Sequence, residues 1–147
     1  STENKISFPL HSPTSVNERN IIFQNGQPYI EVVLNEVKTP LHLDTGGGIA
    51  LYSNYFQENK EGIKKEGIKD ILGMAGVGGA QRYPIYIIPS MELVIAGVPT
   101  IIEDIPVFTN TQGFSKESYG MIGMDVLSRF YKVILNFKDL YLKIERL

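Results

Sequence analysis

The chain has 147 residues, of which 43% are hydrophobic and 20% are charged, and it has no cysteine. This length and composition predict one domain that buries a core, and they exclude a disulfide framework, a thiolate metal site and a thiol nucleophile. The formal net charge is -2 and the longest basic run is Lys64-Lys65, so the sequence lacks the basic surface that nucleic acid requires.

The apolar segments are too short for a membrane span. The longest, at residues 83–89 and 93–98, fall far below the about 20 residues that a membrane helix requires. The chain begins with Ser1 rather than Met and has no basic segment followed by an apolar one. It is therefore expected to be a matured product or a piece of a longer protein.

Short strands joined by tight turns are predicted for the first part of the chain. Residues 21–24 and 29–34 flank Asn25-Gly26, a dipeptide that favours the two-residue turn of a β-hairpin. Alternation in the second strand predicts one buried face, formed by Ile30, Val32 and Leu34. A turn then leads to a strand over residues 38–43.

A helix and a loop are predicted next. Ser53 is a favourable N-cap for a short helix that runs through Lys60. Residues 60–69 contain Glu-Gly-Ile-Lys twice, and their glycines and charges predict an exposed connection. The two copies are too short to form a structural repeat.

A glycine-rich segment over residues 76–79 is flanked by predicted strands over residues 71–75 and 81–88. Three glycines among four residues suit the tip of a mobile hairpin, where side chains are unwelcome, and an ordinary glycine-rich turn is the alternative. The segment lacks the Gly-Lys-Ser/Thr ending of a phosphate-binding loop. Three more strands are predicted over residues 91–95, 99–105 and 107–109, with Gly97 in a turn.

The C-terminal part of the sequence predicts a strand, a short helix and a hairpin. An apolar strand ends at Gly123, and Asp125 stands at the position of an N-cap for a helix that ends at Phe130. Residues 132–137 and 140–145 then alternate as a second hairpin would.

The most informative motif is Asp44-Thr45-Gly46, which follows the apolar residues Leu41 and Leu43. A strand that ends in these three residues delivers one carboxylate onto a tight turn. An aspartic peptidase presents each half of its catalytic pair in this way, and the chain offers one such half.

With this motif, the sequence resembles the bacterial members of the retropepsin-like aspartic peptidases. Three blocks occur in the family's order: Asp44-Thr45-Gly46, the glycine-rich hairpin at residues 76–79, and a Gly-x-x-Gly-x-Asp-x-Leu pattern made by Gly120, Gly123, Asp125 and Leu127. The similarity covers about residues 20–147. It predicts a retropepsin-like domain over residues 21–147, preceded by an arm or linker over residues 1–20.

The resemblance implies an all-β, mainly antiparallel fold: a closed retropepsin-like acid-protease barrel with one short C-terminal helix. In such a fold Asp44 is catalytic, Thr45 and Gly46 support the catalytic turn, and Ile122 and Gly123 pack beneath it. The flap over the substrate corresponds to Gly76, Val77, Gly78 and Gly79. Gly47 departs from the family pattern, in which Ala or Ser usually follows Asp-Thr-Gly.

The resemblance also implies hydrolysis of peptide bonds by a homodimer, because family members with one Asp-Thr-Gly per chain form the site on a two-fold axis. Two carboxylates that share one proton can act as general base and general acid. Asp44 and its symmetry mate are the expected pair, and an extended peptide is the expected substrate. No metal or other cofactor is expected. Bacterial members are often exported, which implies a periplasmic or cell-surface location.

Several alternatives stay open from the sequence. The domain could bind peptides or serve in assembly without cutting them, or it could be one lobe of a larger two-lobed protease. His42 should lie on the same strand face as Asp44, where ordinary packing and a proton relay are the two interpretations. For Asp125, a helix cap is the main interpretation and direct chemistry is the lesser one.

Overall fold

In the computed structural model, the described part of the chain comprises residues 19–44, 46–76, 78–110 and 118–147. Predictions for residues 1–18, Thr45 and Val77 lie outside it. Within this part the chain forms ten strands and three helices. In chain order they are β1 (Ile21–Gln24), β2 (Gln27–Leu34), β3 (Val37–Asp44), β4 (Ile49–Leu51), α1 (Ser53–Glu58), α2 (Lys60–Glu66), β5 (Ile68–Gly76), β6 (Gly79–Ile95), β7 (Val98–Phe108), β8 (Gly120–Gly123), α3 (Met124–Phe130), β9 (Tyr131–Asn136) and β10 (Tyr141–Arg146).

Eight strands form one sheet in the order β1-β2-β3-β8-β4-β7-β6-β5, and β2 also pairs with β6. The last two strands, β9 and β10, form a separate antiparallel hairpin. Among the described pairings, β3 with β8 and β4 with β7 are parallel and the others are antiparallel. The predicted all-β, mainly antiparallel class is therefore confirmed, and α3 is the predicted short C-terminal helix.

The core collects apolar side chains from one face of the large sheet, from the helices and from the β9–β10 hairpin. Ile30, Val32 and Leu34 are at most 1% exposed, which confirms the predicted buried face of β2. Each fully buried aliphatic side chain contributes about 1.5–3 kcal/mol relative to leaving it in water. This packing fixes the position of the neighbouring β3 strand.

Tyr131 is the largest fully buried side chain, at 2% exposed. Its hydroxyl lies near Thr100, but it makes no hydrogen bond of acceptable geometry with a described residue. Burial raises the pKa of Tyr131, and Thr100 and the positive charge of Arg146 offset this only in part. The Tyr131 hydroxyl has therefore lost its hydrogen bonds to water without forming a good hydrogen bond to a described residue in their place.

Residues with positive φ form the turns of several hairpins, including the one between β2 and β3, where Asn35 and Glu36 have φ values of 45° and 71°. Asn25 and Gly26 have φ values of 52° and 76°, the left-handed backbone that a two-residue hairpin turn requires. The same pattern recurs between β6 and β7, where Ala96 and Gly97 have φ values of 49° and 79°. The predicted turns at these places are confirmed.

Residues 60–69 do not form the exposed connection that their glycines predicted. The helix α2 covers most of this segment, and Ile63, which is 3% exposed, anchors it to the core. Glu61 in the first turn and basic residues in the last turn stabilise α2, because each charge lies near the end of the helix dipole that has the opposite sign. The prediction was wrong because these terms outweigh the low helix propensity of Gly62, which costs about 1 kcal/mol relative to alanine.

The three strands predicted over residues 91–109 are two in the structure. Residues 91–95 are the end of β6, which runs unbroken from Gly79, and the other two predicted strands join as β7. Pro89 and Pro106 lie within these strands without ending them. Asp104 adopts a φ of 56° inside β7, so a local distortion replaces the predicted break.

Neither predicted N-cap is correct. Tyr52 occupies the cap position of α1, and Gly123 occupies that of α3; neither forms a side-chain capping bond. Ser53 is instead the first residue of α1, where its side chain is buried. Asp125 is the second residue of α3, and its carboxylate has a different partner.

Candidate active site

The turn that follows Asp44 is fixed by β8. This strand lies between β3 and β4, the two strands that the turn joins, and it pairs parallel with β3 and antiparallel with β4. Asp44 is opposite Gly123, whose N–H donates a hydrogen bond to the Gly48 carbonyl oxygen at 2.8 Å. Ile122, the preceding residue, is 0% exposed. A strand from the C-terminal part of the sequence therefore shapes the turn.

Two glycines allow β8 to fit between its neighbours. A Cβ atom at Gly123 would collide with the carbonyl oxygens of Gly46 and Gly47, and one at Gly120 would collide with the carbonyl oxygen of Ala50. Backbone atoms cannot rotate away from such a collision as the end of a long side chain can. The close approach of three strands thus explains the Gly-x-x-Gly spacing.

The Asp44 carboxylate is half-exposed at the end of β3. Its Oδ1 accepts a hydrogen bond from the Gly46 N–H at 3.2 Å, which orients the carboxylate over its own turn. The preceding Leu43 is 5% exposed and points to the opposite side of the strand, into the core. The carboxylate therefore reaches the surface on a strand whose position the core determines.

Asp125 supports the same turn from α3. Its Oδ2 accepts a hydrogen bond from the Gly47 N–H at 3.2 Å, across 78 residues of sequence. Gly47 has a φ of 78°, a left-handed conformation that costs glycine nothing but would strain alanine or serine. This backbone explains why glycine follows Asp-Thr-Gly here. This contact could not be predicted from the sequence, because nothing local links Asp125 to so distant an amide.

An apolar cavity of about 200 Å³ borders the turn. It is larger than the cavity of about 150 Å³ that accommodates benzene in a protein core, so it has room for one large apolar side chain. Backbone and side chains from several strands line it: Gly48, Ile49, Ala50, Tyr52, Leu72, Pro106, Phe108 and Met121.

Gly76 and Gly79 of the predicted flap lie at the tip of the β5–β6 hairpin. Gly76 pairs with Gly79 at the end of this ladder, and Gly79 has a φ of 98°. Leu72, farther down β5, lines the apolar cavity together with Gly48 of the Asp44 turn. The hairpin and the turn therefore border the same space.

Solved structures of retropepsin-like proteins match the chain over most of its length. A retropepsin-like aspartic protease from Rickettsia conorii is 23% identical, with a TM-score of 0.55, over 86% of this chain and 91% of that chain. The retroviral protease-like domain of Ddi1 from Leishmania major is 15% identical, with a TM-score of 0.52, over 84% of this chain and 89% of that chain. The chain has the retropepsin-like fold.

A third match is the EIAV protease complexed with the inhibitor HBY-793, at 20% identity and a TM-score of 0.48, over 74% of this chain and 93% of that chain. No family model matches the sequence, and no curated protein matches it. The similarity to the Rickettsia and Leishmania proteins therefore lies in the retropepsin-like backbone more than in the sequence.

In this retropepsin-like chain, the cavity contains a tyrosine close to Asp44. Burial raises the pKa of Tyr52, and Asp44 and then Tyr29 raise it further. The Tyr52 hydroxyl therefore keeps its proton at any pH where a carboxylate pair would work. Tyr52 could not be predicted as part of the site from the sequence, because a tyrosine that follows a strand has no pattern of its own.

His42 lies two residues before Asp44 on the same face of β3. Both side chains are half-exposed, whereas Leu43 between them is buried. The His42 Nε2 atom is 2.8 Å from Gln27 Oε1, and the imidazole centroid is 5.5 Å from that of the Tyr29 ring. A polar cluster thus adjoins the candidate catalytic carboxylate.

The retropepsin-like fold brings together Asp44, Gly46, Ile122 and Gly123, and places the glycine-rich hairpin at the edge of the same cavity. In the part of the chain that the structure describes, no three His, Asp or Glu side chains are grouped closely enough to hold a metal ion. None of the described helices is both long enough and apolar enough to cross a membrane.

Proposed function

We propose that the chain is an aspartic endopeptidase, in which Asp44 and the same residue of a second copy activate a water molecule to hydrolyse a peptide bond. The position of Asp44 carries this proposal: its half-exposed carboxylate stands on a turn held by β8, at the border of an apolar cavity. The fold, which solved aspartic proteases share, supports it.

The carboxylate pair would supply both proton transfers. Two carboxylates held close together do not both ionise, so the pair keeps one proton and titrates as a unit. The ionised member takes a proton from water while the protonated member donates one to the peptide carbonyl oxygen. Gly46 and Asp125 would keep each Asp44 turn in place during these transfers, through hydrogen bonds within and onto the turn.

The second carboxylate requires a partner chain, because this chain supplies one Asp-Thr-Gly turn. We therefore propose a homodimer whose two-fold axis passes between the two Asp44 turns. We also propose that the sheet closes into the barrel expected of the fold, which the pairing of β2 with β6 supports. A closed sheet would resist the separation of β3 from β8.

The substrate would be an extended peptide with an apolar side chain in the cavity. The lining side chains are apolar apart from the Tyr52 hydroxyl. Transfer of an apolar side chain from water into the cavity would therefore be favourable. The β5–β6 hairpin would cover the peptide as a flap and pair with its backbone.

The test is cleavage of a mixed peptide library between pH 4 and pH 7, at several protein concentrations. We expect the native chain to cut, Asp44→Asn to lose cutting, and the rate per chain to rise with concentration as the dimer forms. Asp139→Asn is the matched control, because it makes the same change of charge in the turn between β9 and β10.

Each outcome of this test points to one function. Equal cutting by the native chain and Asp44→Asn would refute Asp44 as the catalytic group. Peptide binding without cutting at any concentration would instead establish a silent peptide-binding module. A strict monomer that becomes active only with a second, different protein would identify the chain as one lobe of a larger protease.

A further inference from the structure

A row of side chains crosses the sheet next to Asp44 and changes from polar to apolar along its length. Strand pairing aligns Tyr29 with His42, His42 with Met121, and Met121 with Ala50. Residues aligned in this way lie on one face of a sheet. Met121 and Ala50 line the apolar cavity, whereas Tyr29 and His42 form the polar cluster on the other side.

An extended peptide centred on Asp44 would therefore meet two different surfaces. On one side lies the cavity, which accepts an apolar side chain. On the other lies the imidazole of His42, two residues from Asp44 and thus about 6–7 Å along the strand. A peptide strand has the same spacing, so the residue that contacts His42 lies within about two residues of the cut bond.

The hydrogen bonding of His42 leaves one nitrogen for a ligand. Gln27 Oε1 can only accept, so Nε2 carries a proton and donates to it. Nδ1 makes no hydrogen bond with any residue in the described ranges, and it becomes a second donor when the imidazole is charged. A carboxylate is the peptide group that best matches a donor with a positive charge.

Resting on the proposed function, we propose that His42 is a specificity-determining residue that selects peptides with an acidic side chain within two residues of the cut bond. Without His42, such a side chain would be repelled by the negative charge of the Asp44 pair. With His42 charged, the repulsion is offset and the acidic peptide is preferred. The preference is one of binding, so it appears in KM more than in kcat.

His42 is one of several ionisable groups on this face of the sheet. Near His42, the other ionisable groups on this face are Tyr29 and Glu31 on β2, and Lys38 and Asp44 on β3. Tyr52, which follows β4 and lies near Asp44 and Tyr29, is a further one, whereas β8 contributes only Met121 opposite His42. Lys38 lies at the far end of the strand from Asp44, and Glu31 is aligned with Pro40. His42 is thus the basic side chain on this face that is placed to contact the peptide near Asp44.

The experiment uses labelled eight-residue peptides with two apolar residues at the centre and either Glu or Gln at each other position in turn. Cleavage by the native chain and binding to Asp44→Asn are both measured at pH 5.5. At one position we expect about a five-fold preference for Glu over Gln at pH 5.5, the size of a partly exposed ion pair. His42→Leu should abolish or reverse this preference, and His42→Gln should abolish it.

Lys38→Gln is the matched control, because it removes a positive charge from the same face of β3 while leaving His42 in place; it should keep the preference. If no position shows a preference for Glu that depends on His42, the proposal is overturned, whether or not cutting occurs. Binding that prefers Glu through His42 without any cutting would support the proposal while refuting catalysis. Failure of every peptide to bind would overturn both.

Discussion

Replacing Gly123 by alanine should damage both the fold and the candidate active site. The added Cβ would meet the carbonyl oxygens of Gly46 and Gly47 at less than any ordinary contact distance, so β8 and the turn must move apart. Overpacking of this kind costs about 3 kcal/mol when rigid backbone is involved. The hydrogen bond from the Gly123 N–H to Gly48 would also weaken, at a cost of about 1 kcal/mol.

Together these terms predict a loss of about 4 kcal/mol, which lowers Tm by roughly 8–16 °C for a chain of this length. Calorimetry would measure the change in Tm, and the peptide-cleavage assay would report the effect on the turn. Gly73→Ala is the control, because a Cβ there meets nothing within 4 Å. A Tm for Gly123→Ala within about 2 °C of that of Gly73→Ala would refute the reasoning.

Three further variants test other parts of the fold. Gly62→Ala fills open space in a helix and should raise the free energy of unfolding by about 0.5–1 kcal/mol; a fall in Tm would contradict this. Tyr131 has a raised pKa in the folded state, so its contribution to the free energy of unfolding is complete below pH 10 and is lost as the pH rises further. Urea unfolding between pH 8 and pH 11 should therefore show a smaller fall in the free energy of unfolding for Tyr131→Phe than for the native chain, and an equal fall would contradict this role. Asp125→Ala should lower stability by about 1 kcal/mol by freeing the Gly47 N–H, whereas Asp125→Asn keeps an acceptor oxygen and should lose less; equal losses would exclude this role.

Local patterns predicted the strands and turns well, because the information lies within a few residues. Asn25-Gly26 supplies positive φ angles regardless of its surroundings, and the alternation in β2 is read from six consecutive residues. The Asp-Thr-Gly motif likewise marked the end of β3.

Features that depend on distant contacts could not be predicted in the same way. Asp125 has the residue type of a local cap, but its carboxylate accepts a hydrogen bond from the Gly47 amide in the turn that precedes β4. Burial of Ile63 turned an apparent loop into α2, and the position of Tyr52 beside Asp44 follows from the packing of the sheet. Tertiary packing decided each case, and it leaves little trace in neighbouring residues.

The position of β8 between β3 and β4 also sets the order in which the molecule can fold. Bringing such distant segments together costs chain entropy before the contacts that offset this cost have formed. The pairing of β8 with β3 and β4 should therefore be among the late events of folding. During synthesis, a ribosome-bound chain would display the Asp-Thr-Gly residues well before Gly123 emerges to shape their turn. The timing of translation would thereby delay assembly of the Asp44 turn until nearly the whole domain is present.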